Sequence, residues 1–311
     1  MKTASTADIK KVLITGGSGL VGRYLTSLLL SHGHKVIHLS RSRDKFGTVR
    51  VHRWDPEKKI LDPSILDGVD CLIHLAGANI GEKRWSGKRR EEIIKSRADS
   101  ALFLHSVIQE KGIPLGAFIS ASATGYYGSE TSDRIFTEAD SPGNGFLAEV
   151  CSRWEEAAAD FKKSGIRTVR IRSGMVLEEN DSALSRLLLP AKYGFLVRLG
   201  TGCQYVPWIH IQDLCSIYVN AVENRLPEGV YNAVAPQHVT HDEFIRTLGI
   251  VTGKPVSPIK VPAFMLSAAL GKMSEVVLKG SRISSDKLLQ CGFKFAFPGL
   301  KEALSDLLKQ N

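Results

Sequence analysis

The stretch Lys11-Val12-Leu13-Ile14-Thr15-Gly16-Gly17-Ser18-Gly19-Leu20-Val21-Gly22 decides the fold. Lys11–Thr15 is short, aliphatic and β-branched, and reads as a strand. Leu20–His32 reads as a helix, with Val21, Leu25, Leu28 and Leu29 on one face. Between them lies a glycine turn with a physical use for each glycine. Gly16 permits a sharp reversal, Gly19 lets backbone approach a diphosphate, and Gly22 lets the helix pack close to the strand. The start of a helix offers unpaired N–H groups and a partial positive charge to phosphates. The spacing therefore predicts a dinucleotide cradle made by Gly16, Gly17, Ser18, Gly19, Leu20, Val21 and Gly22.

Moving outward, Gly33 ends the helix and Val36–Ser40 forms the next strand. Further strands are expected at Cys71–Ala76, Ala117–Ser120 and Thr168–Arg172, with helices at Arg90–Lys111 and Leu147–Ser164. This alternation predicts an α/β fold, a Rossmann-type doubly wound parallel sheet with a smaller C-terminal α/β lobe. Residues 10–177 form the expected cofactor domain. Beyond Leu177 the segments become irregular and proline-punctuated, so 178–311 is read mostly as a substrate-side lobe. A segment near 206–234 is expected to return to the main domain.

The second strand speaks to cofactor choice. An NAD-preferring site places an acid about 20 residues after the glycine turn to hold the ribose 2′-hydroxyl. Here the strand ends in Ser40-Arg41-Ser42-Arg43, with no carboxylate. A guanidinium pairs with a 2′-phosphate, so Arg41 and Arg43 predict NADP(H). Asp55, which ends the expected third strand after Arg53-Trp54, is a candidate for the adenine. Ligands in such sheets lie outside the carboxyl ends of the strands, so Leu75, Ala76, Gly77 and Ala78 are expected to line the cofactor. Ser120, Gly174, Met175 and Val176 are expected there for the same reason. His74, within an apolar strand, reads as a core histidine.

Formal net charge is +9, but the basic residues are dispersed; the densest cluster is Lys83, Arg84, Lys88, Arg89 and Arg90. It reads as a solvated helix face or as a wall that attracts a phosphate-bearing ligand. No zinc-finger, helix-turn-helix or aromatic RNA-binding pattern supports nucleic-acid binding. No apolar run reaches membrane-spanning length. Five scattered cysteines carry no metal or disulfide spacing, so reduced thiols in a cytoplasmic setting are expected. No metal site is expected, and a homodimer is compatible with this reading.

Five motifs together resemble the extended short-chain dehydrogenase/reductases, which include nucleoside-diphosphate-sugar epimerases. They are Thr15-Gly16-x-x-Gly19-x-x-Gly22, Asp70-x-x-x-His74-Leu75-Ala76-Gly77, Ile119-Ser120-Ala121-Ser122-Ala123, Tyr127-Gly128, and Trp208-Ile209-His210-Ile211-Gln212-Asp213-Leu214. Arg84-Trp85, Ser96-Arg97, Trp154-Glu155, Arg172-Ser173-Gly174 and the tail Gly292-Phe293-x-Phe295-x-Phe297-Pro298 look like a subgroup of epimerase family proteins of uncertain substrate. The resemblance spans nearly the whole chain. It implies a Ser, a Tyr and a Lys four residues after the Tyr, with the Lys lowering the pKa of the Tyr general acid. The Ser position matches Ser122. By register the Tyr is replaced by Leu147 and the Lys by Cys151, and the family's asparagine by Ser96. Tyr127 is then the remaining phenol near the site, as a candidate acid or as a structural Tyr-Gly. Arg84 and Arg97 are candidates to touch the cofactor or an anion. Val206 stands about where sugar-nucleotide enzymes carry an arginine for the substrate diphosphate.

Two functions stay open on this reading. One is an NADP(H)-dependent oxidoreductase or epimerase-like enzyme acting on a small polar molecule, with Ser122 and Tyr127 as candidate catalytic residues. The other is a non-catalytic NADP(H)-binding sensor or regulator.

Overall fold

A computed structural model describes residues 8–41, 47, 49–180 and 182–308. In β1 (Lys11–Thr15) every residue after Lys11 is buried, as expected for a strand covered by helices on both faces. It turns into α1 (Leu20–Ser31), and β2 (Lys35–Ser40), β3 (Arg50–Arg53) and β4 (Cys71–His74) follow. Helices α2 (Gly87–Lys95) and α3 (Ala98–Lys111) lead to β5 (Ala117–Ala123) and β6 (Ile135–Phe136). Then come α4 (Phe146–Lys163), β7 (Arg167–Ser173), β8 (Met175–Leu177), α5 (Ala183–Leu187), β9 (Leu196–Leu199) and β10 (Trp208–His210). The remainder is α6 (Ile211–Val222), β11 (Gly229–Ala233), α7 (His241–Thr252), β12 (Val256–Val261), α8 (Ala263–Leu270), α9 (Glu275–Leu278), β13 (Arg282–Ile283), α10 (Asp286–Gln290) and α11 (Leu300–Leu308).

Seven strands form one sheet in the order β3-β2-β1-β4-β5-β7-β11. Every pairing in it is parallel. The order reverses at β1, which is where open α/β sheets leave a crevice for a ligand. On one face, Leu25 and Leu29 of α1 and Leu214, Ile217 and Tyr218 of α6 bury Val12, Ile73, Ile119 and Ile171. On the other, Leu104 of α3 and Phe161 of α4 bury Leu13, Leu72 and Phe118, with the Phe118 and Phe161 rings stacked 3.6 Å apart. The chain does return to the sheet after leaving it: α6 packs with α1, and β11 pairs with β7 from Gly229↔Val169 to Ala233↔Ser173. The lobe has its own core, in which Leu196, Phe244, Leu248 and Leu304 are fully buried.

Three boundaries differ from the sequence reading. The helix expected over Arg90–Lys111 is two helices, broken at Ser96 and Arg97. There Ser96 Oγ accepts the Ala78 N–H at 2.8 Å, pulling the chain to the edge of β4. Ser86 caps the first of the two by accepting the Arg89 N–H. Next, β4 stops at His74, and β5 runs on to Ala123, so Ser122 lies inside a strand. Finally, Asp55 lies beyond β3 in a turn closed by its bridge to Ile60.

Candidate functional site

The carboxyl ends of β1, β2, β4, β5 and β7 share one edge of the sheet, and the glycine turn lies on it. Gly16 has φ +71°, and a Cβ there would come within 2.9 Å of the Ala76 backbone. A Cβ on Gly22 would come within 2.5 Å of the Gly16 carbonyl oxygen, so only glycine lets α1 begin this close to its own turn. Thr15 seals the junction, its Oγ1 accepting the Ala76 N–H at 3.2 Å. No side chain caps α1, and its first turn carries no acid. Its leading N–H groups are thus left to a ligand, and an anionic one is favoured.

Around that turn the chain emerges from the interior: His74 is fully buried, whereas Leu75, Ala76, Gly77 and Ala78 are partly or fully exposed. Ser18, Gly19 and Arg41 are exposed, Leu20, Val21 and Ser40 partly so, and Gly17 is buried against the His38 ring. Gly174, Met175 and Val176 lie at the same edge, tied to the lobe where Met175 N donates to Pro207 O at 2.7 Å. Arg43 lies outside the described residues.

Several expected site residues have other work. Ser120 is fully buried inside β5 and does not reach the edge. Asp55 Oδ1 accepts the N–H groups of Glu57 and Lys58 at 3.1 Å and holds its own turn. Arg84 donates to the carbonyls of Ala268 and Ala269, closing the C-terminal end of α8. Arg89 is buried between Glu82 and Glu92, so it is paired and not part of a free anion wall.

The two catalytic candidates fall into one buried network. Ser122 Oγ donates to Glu155 Oε1 at 2.7 Å. Arg172 grips the same carboxylate through Nε at 2.7 Å and Nη2 at 2.9 Å. Its Nη1 donates to the Tyr127 hydroxyl at 2.9 Å, and that hydroxyl donates to Asn232 Oδ1 at 2.6 Å. Tyr126 lays its ring 3.4 Å from the Arg172 guanidinium. Burial pushes the Tyr127 phenol up to about 12, even though Arg172 pulls the other way. Tyr127 therefore reads as structural, a correction to its candidacy as an acid, and Ser122 spends its proton on Glu155. Sequence reasoning assigned Glu155, Arg172 and Asn232 no role. The available signal was a glutamate beside Trp154, Ala158 and Phe161 on the buried face of α4.

At the carboxyl end of β5 the lining comes from α4. A Cβ on Gly125, just past β5, would lie 3.1 Å from Leu147 Cβ and 3.6 Å from Cys151 Sγ. Leu147 and Cys151 thus face the end of β5 with no acid and no ammonium. Burial holds the Cys151 thiol up at about 12, so it stays protonated. Behind β4, His74 is fixed by Thr15 at 2.8 Å and by the Arg97 carbonyl at 3.1 Å, and burial keeps it neutral, down to about 4.

Fold and edge together define an NAD(P)-binding protein of the extended short-chain dehydrogenase/reductase kind. Residues 12–233 match the NAD dependent epimerase/dehydratase family, and residues 261–307 match a domain of unknown function, DUF1731. The chain belongs to that epimerase/dehydratase family. It is 35% identical over 295 residues to an epimerase family protein of Mycobacterium leprae, covering 94% of each chain. A crystal structure of human epimerase family protein SDR39U1 with NADPH superposes with TM-score 0.86 at 30% identity, over 97% of this chain and all of that one. A nucleoside-diphosphate sugar epimerase structure from Corynebacterium glutamicum gives TM-score 0.79 at 31% identity, over 97% of this chain and 59% of that one.

Proposed function

We propose that this chain binds NADP(H) along the edge formed by Gly16–Gly22, Ser40–Arg41 and Leu75–Ala78, and works as an oxidoreductase or epimerase-like protein on a small polar molecule. The observation that carries the reading is the uncapped, acid-free start of α1, with Gly16 pressed on Ala76 and an exposed arginine ending β2. The diphosphate belongs at that helix start, and the 2′-phosphate beside Arg41. The NADPH in the human relative supports this choice of cofactor. When bound, the nicotinamide supplies or accepts the hydride. The chain's own part is to hold it and to shield the reacting face with Leu147, Cys151 and the end of β5. The reading involves no nucleic acid or membrane. The free, buried thiols of Cys71, Cys151 and Cys215 suit a reducing compartment such as the cytoplasm.

One observation favours a second reading, a non-catalytic NADP(H)-responsive regulator: Leu147 and a protonated Cys151 line the end of β5, at the positions that the family resemblance assigns to the acid–base pair. The two are separated by following NADPH absorbance with a panel of aldehydes, ketones and sugars. Steady oxidation above the protein-free rate supports the oxidoreductase. A tight complex that is inert across the panel supports the regulator, and absence of any complex contradicts both.

A further inference from the structure

A helix that is apolar on every side belongs in a protein interior. From Ala263 to Leu270, α8 reads Ala-Phe-Met-Leu-Ser-Ala-Ala-Leu, yet none of its residues is buried. Phe264 is 73% exposed, and Met265 beside it is exposed too. Arg84 holds the far end of α8 through the carbonyls of Ala268 and Ala269, so the helix is fixed in place while its sides stay open. The ribbon that leads into it is built alike. In β9, Leu196 is buried in the lobe core and Arg198 pairs with Asp242 of α7. Successive side chains of a strand alternate between faces, so Val197 and Leu199 point away from α7. Val261 of β12 lies beside Leu199, and Ile259 of β12 is 77% exposed. Tyr193 and Phe195, just before β9, are also exposed, Tyr193 at 83%.

Single apolar side chains on a surface need no explanation, whereas a cluster marks an interaction site. Here Tyr193, Phe195, Ile259, Phe264 and Met265 stand out on adjoining elements, since β9 pairs with β12 and α8 follows β12 directly. The charge around them is one-sided. Residues 186–200 and 254–279 carry the exposed lysines Lys192, Lys254, Lys260, Lys272 and Lys279, with Glu275 as the single acid. None of these lysines has a carboxylate partner among the described residues. That charge chooses between occupants. A second copy of this chain would bring the same lysines against them, and like charges oppose such a contact. A rigid partner would need a groove or a matching relief. The hollow beside α8, lined by Ser267, Lys272, Glu275 and Leu278 among others, includes none of the five apolar side chains. A lipid interface needs no matching shape. It takes protruding apolar side chains between its headgroups, and its anionic lipids attract the lysines around them.

We infer that α8 and the outer face of the β9–β12 ribbon form a docking surface for an anionic lipid bilayer. The contact is with one leaflet, since no described helix is long and apolar enough to cross a membrane. Cofactor binding requires no membrane, and this surface stands apart from that reading. The test is sedimentation of the full chain with vesicles of phosphatidylcholine, with and without phosphatidylserine. It compares wild type, a double variant with Ile259→Ser and Phe264→Ser, and a triple variant with Lys260→Gln, Lys272→Gln and Lys279→Gln. Ile60→Ser, at an exposed apolar position of the cofactor domain, serves as the control. Melting temperature and solution mass are recorded for each protein.

The expected result is binding to phosphatidylserine vesicles at least about tenfold tighter than to neutral ones. Both multiple variants lose about tenfold or more of that affinity while melting as wild type does, because the altered side chains are exposed. Binding by the lysine variant also depends less on salt, and Ile60→Ser binds as wild type does. Wild type that stays in solution with both kinds of vesicle overturns the inference and leaves the surface to a protein partner. Binding that salt abolishes and that the Ile259 and Phe264 substitutions leave unchanged overturns it too, as plain adsorption by the chain's net charge of +9. A wild-type dimer that the apolar double variant converts to a monomer overturns it in favour of a second copy.

Discussion

Glu155 is 4% exposed, yet it accepts from Ser122 and from two nitrogens of Arg172, itself 3% exposed. Burial pulls the Arg172 pKa down, and its bonds to Glu155 more than reverse that, so Arg172 keeps its charge. Removing one partner of a buried pair strands the other charge, which costs about 3–5 kcal/mol. Glu155→Ala is expected to lose that much in urea unfolding, whereas a loss below about 1 kcal/mol would place the charge of Arg172 elsewhere. The network ties β5, α4, β7 and β11 together behind the cleft. None of this partnership was legible from spacing, because Ser122, Glu155 and Arg172 meet only when β5 and β7 pair with Ser122 beside Arg172. The glycine turn was legible for the opposite reason. Its physics is local, and each glycine answers to a neighbour a few residues away or to the adjacent strand.

Among the elements, α6 links the sheet to the tail. Asp213, in its first turn, accepts the backbone N–H groups of Ala296 and Phe297 at 2.7 and 3.0 Å. Those bonds set the tail so that the Phe297 ring lies 3.9 Å from His210, the cap of α6. Asp213→Ala leaves both donors without their charged acceptor, at about 1.5–3 kcal/mol for each bond. The expected outcome is a melting point several degrees lower and faster proteolytic clipping after Cys291, with the sheet core still protected. A tail no more sensitive than in wild type would contradict this coupling. Helix periodicity located α1 and α4 to within a residue or two, since each buries a continuous apolar face. It merged α2 with α3 because the break at Ser96–Arg97 comes from a tertiary bond, Ser96 to Ala78, and not from a helix-breaking residue.

Across the whole molecule, burial lowers three histidines, His74, His210 and His241, to about 4. Each is below its unfolded value, so the folded state prefers the neutral form. Their contribution is complete above about pH 6.5 and is lost as pH falls towards 4. Asp213, raised by burial, acts in the opposite sense. Melting temperature should therefore drop between pH 7 and pH 5, and a flat or rising profile would contradict neutral burial of these rings. The parallel sheet and the chain's return to it were readable from alternation of strand and helix. The small pairings β8–β10, β9–β12 and β6–β13 were not, since strands of two to six residues leave little period to detect. The account as a whole stands on one cleft taking one phosphorylated dinucleotide, and calorimetric titration of the protein with NADPH and then NADH tests it most directly. It predicts saturable 1:1 binding of NADPH, at least about tenfold tighter than NADH, with the advantage lost in Arg41→Ala. No heat with NADPH, or equal affinity for both nucleotides, would contradict it.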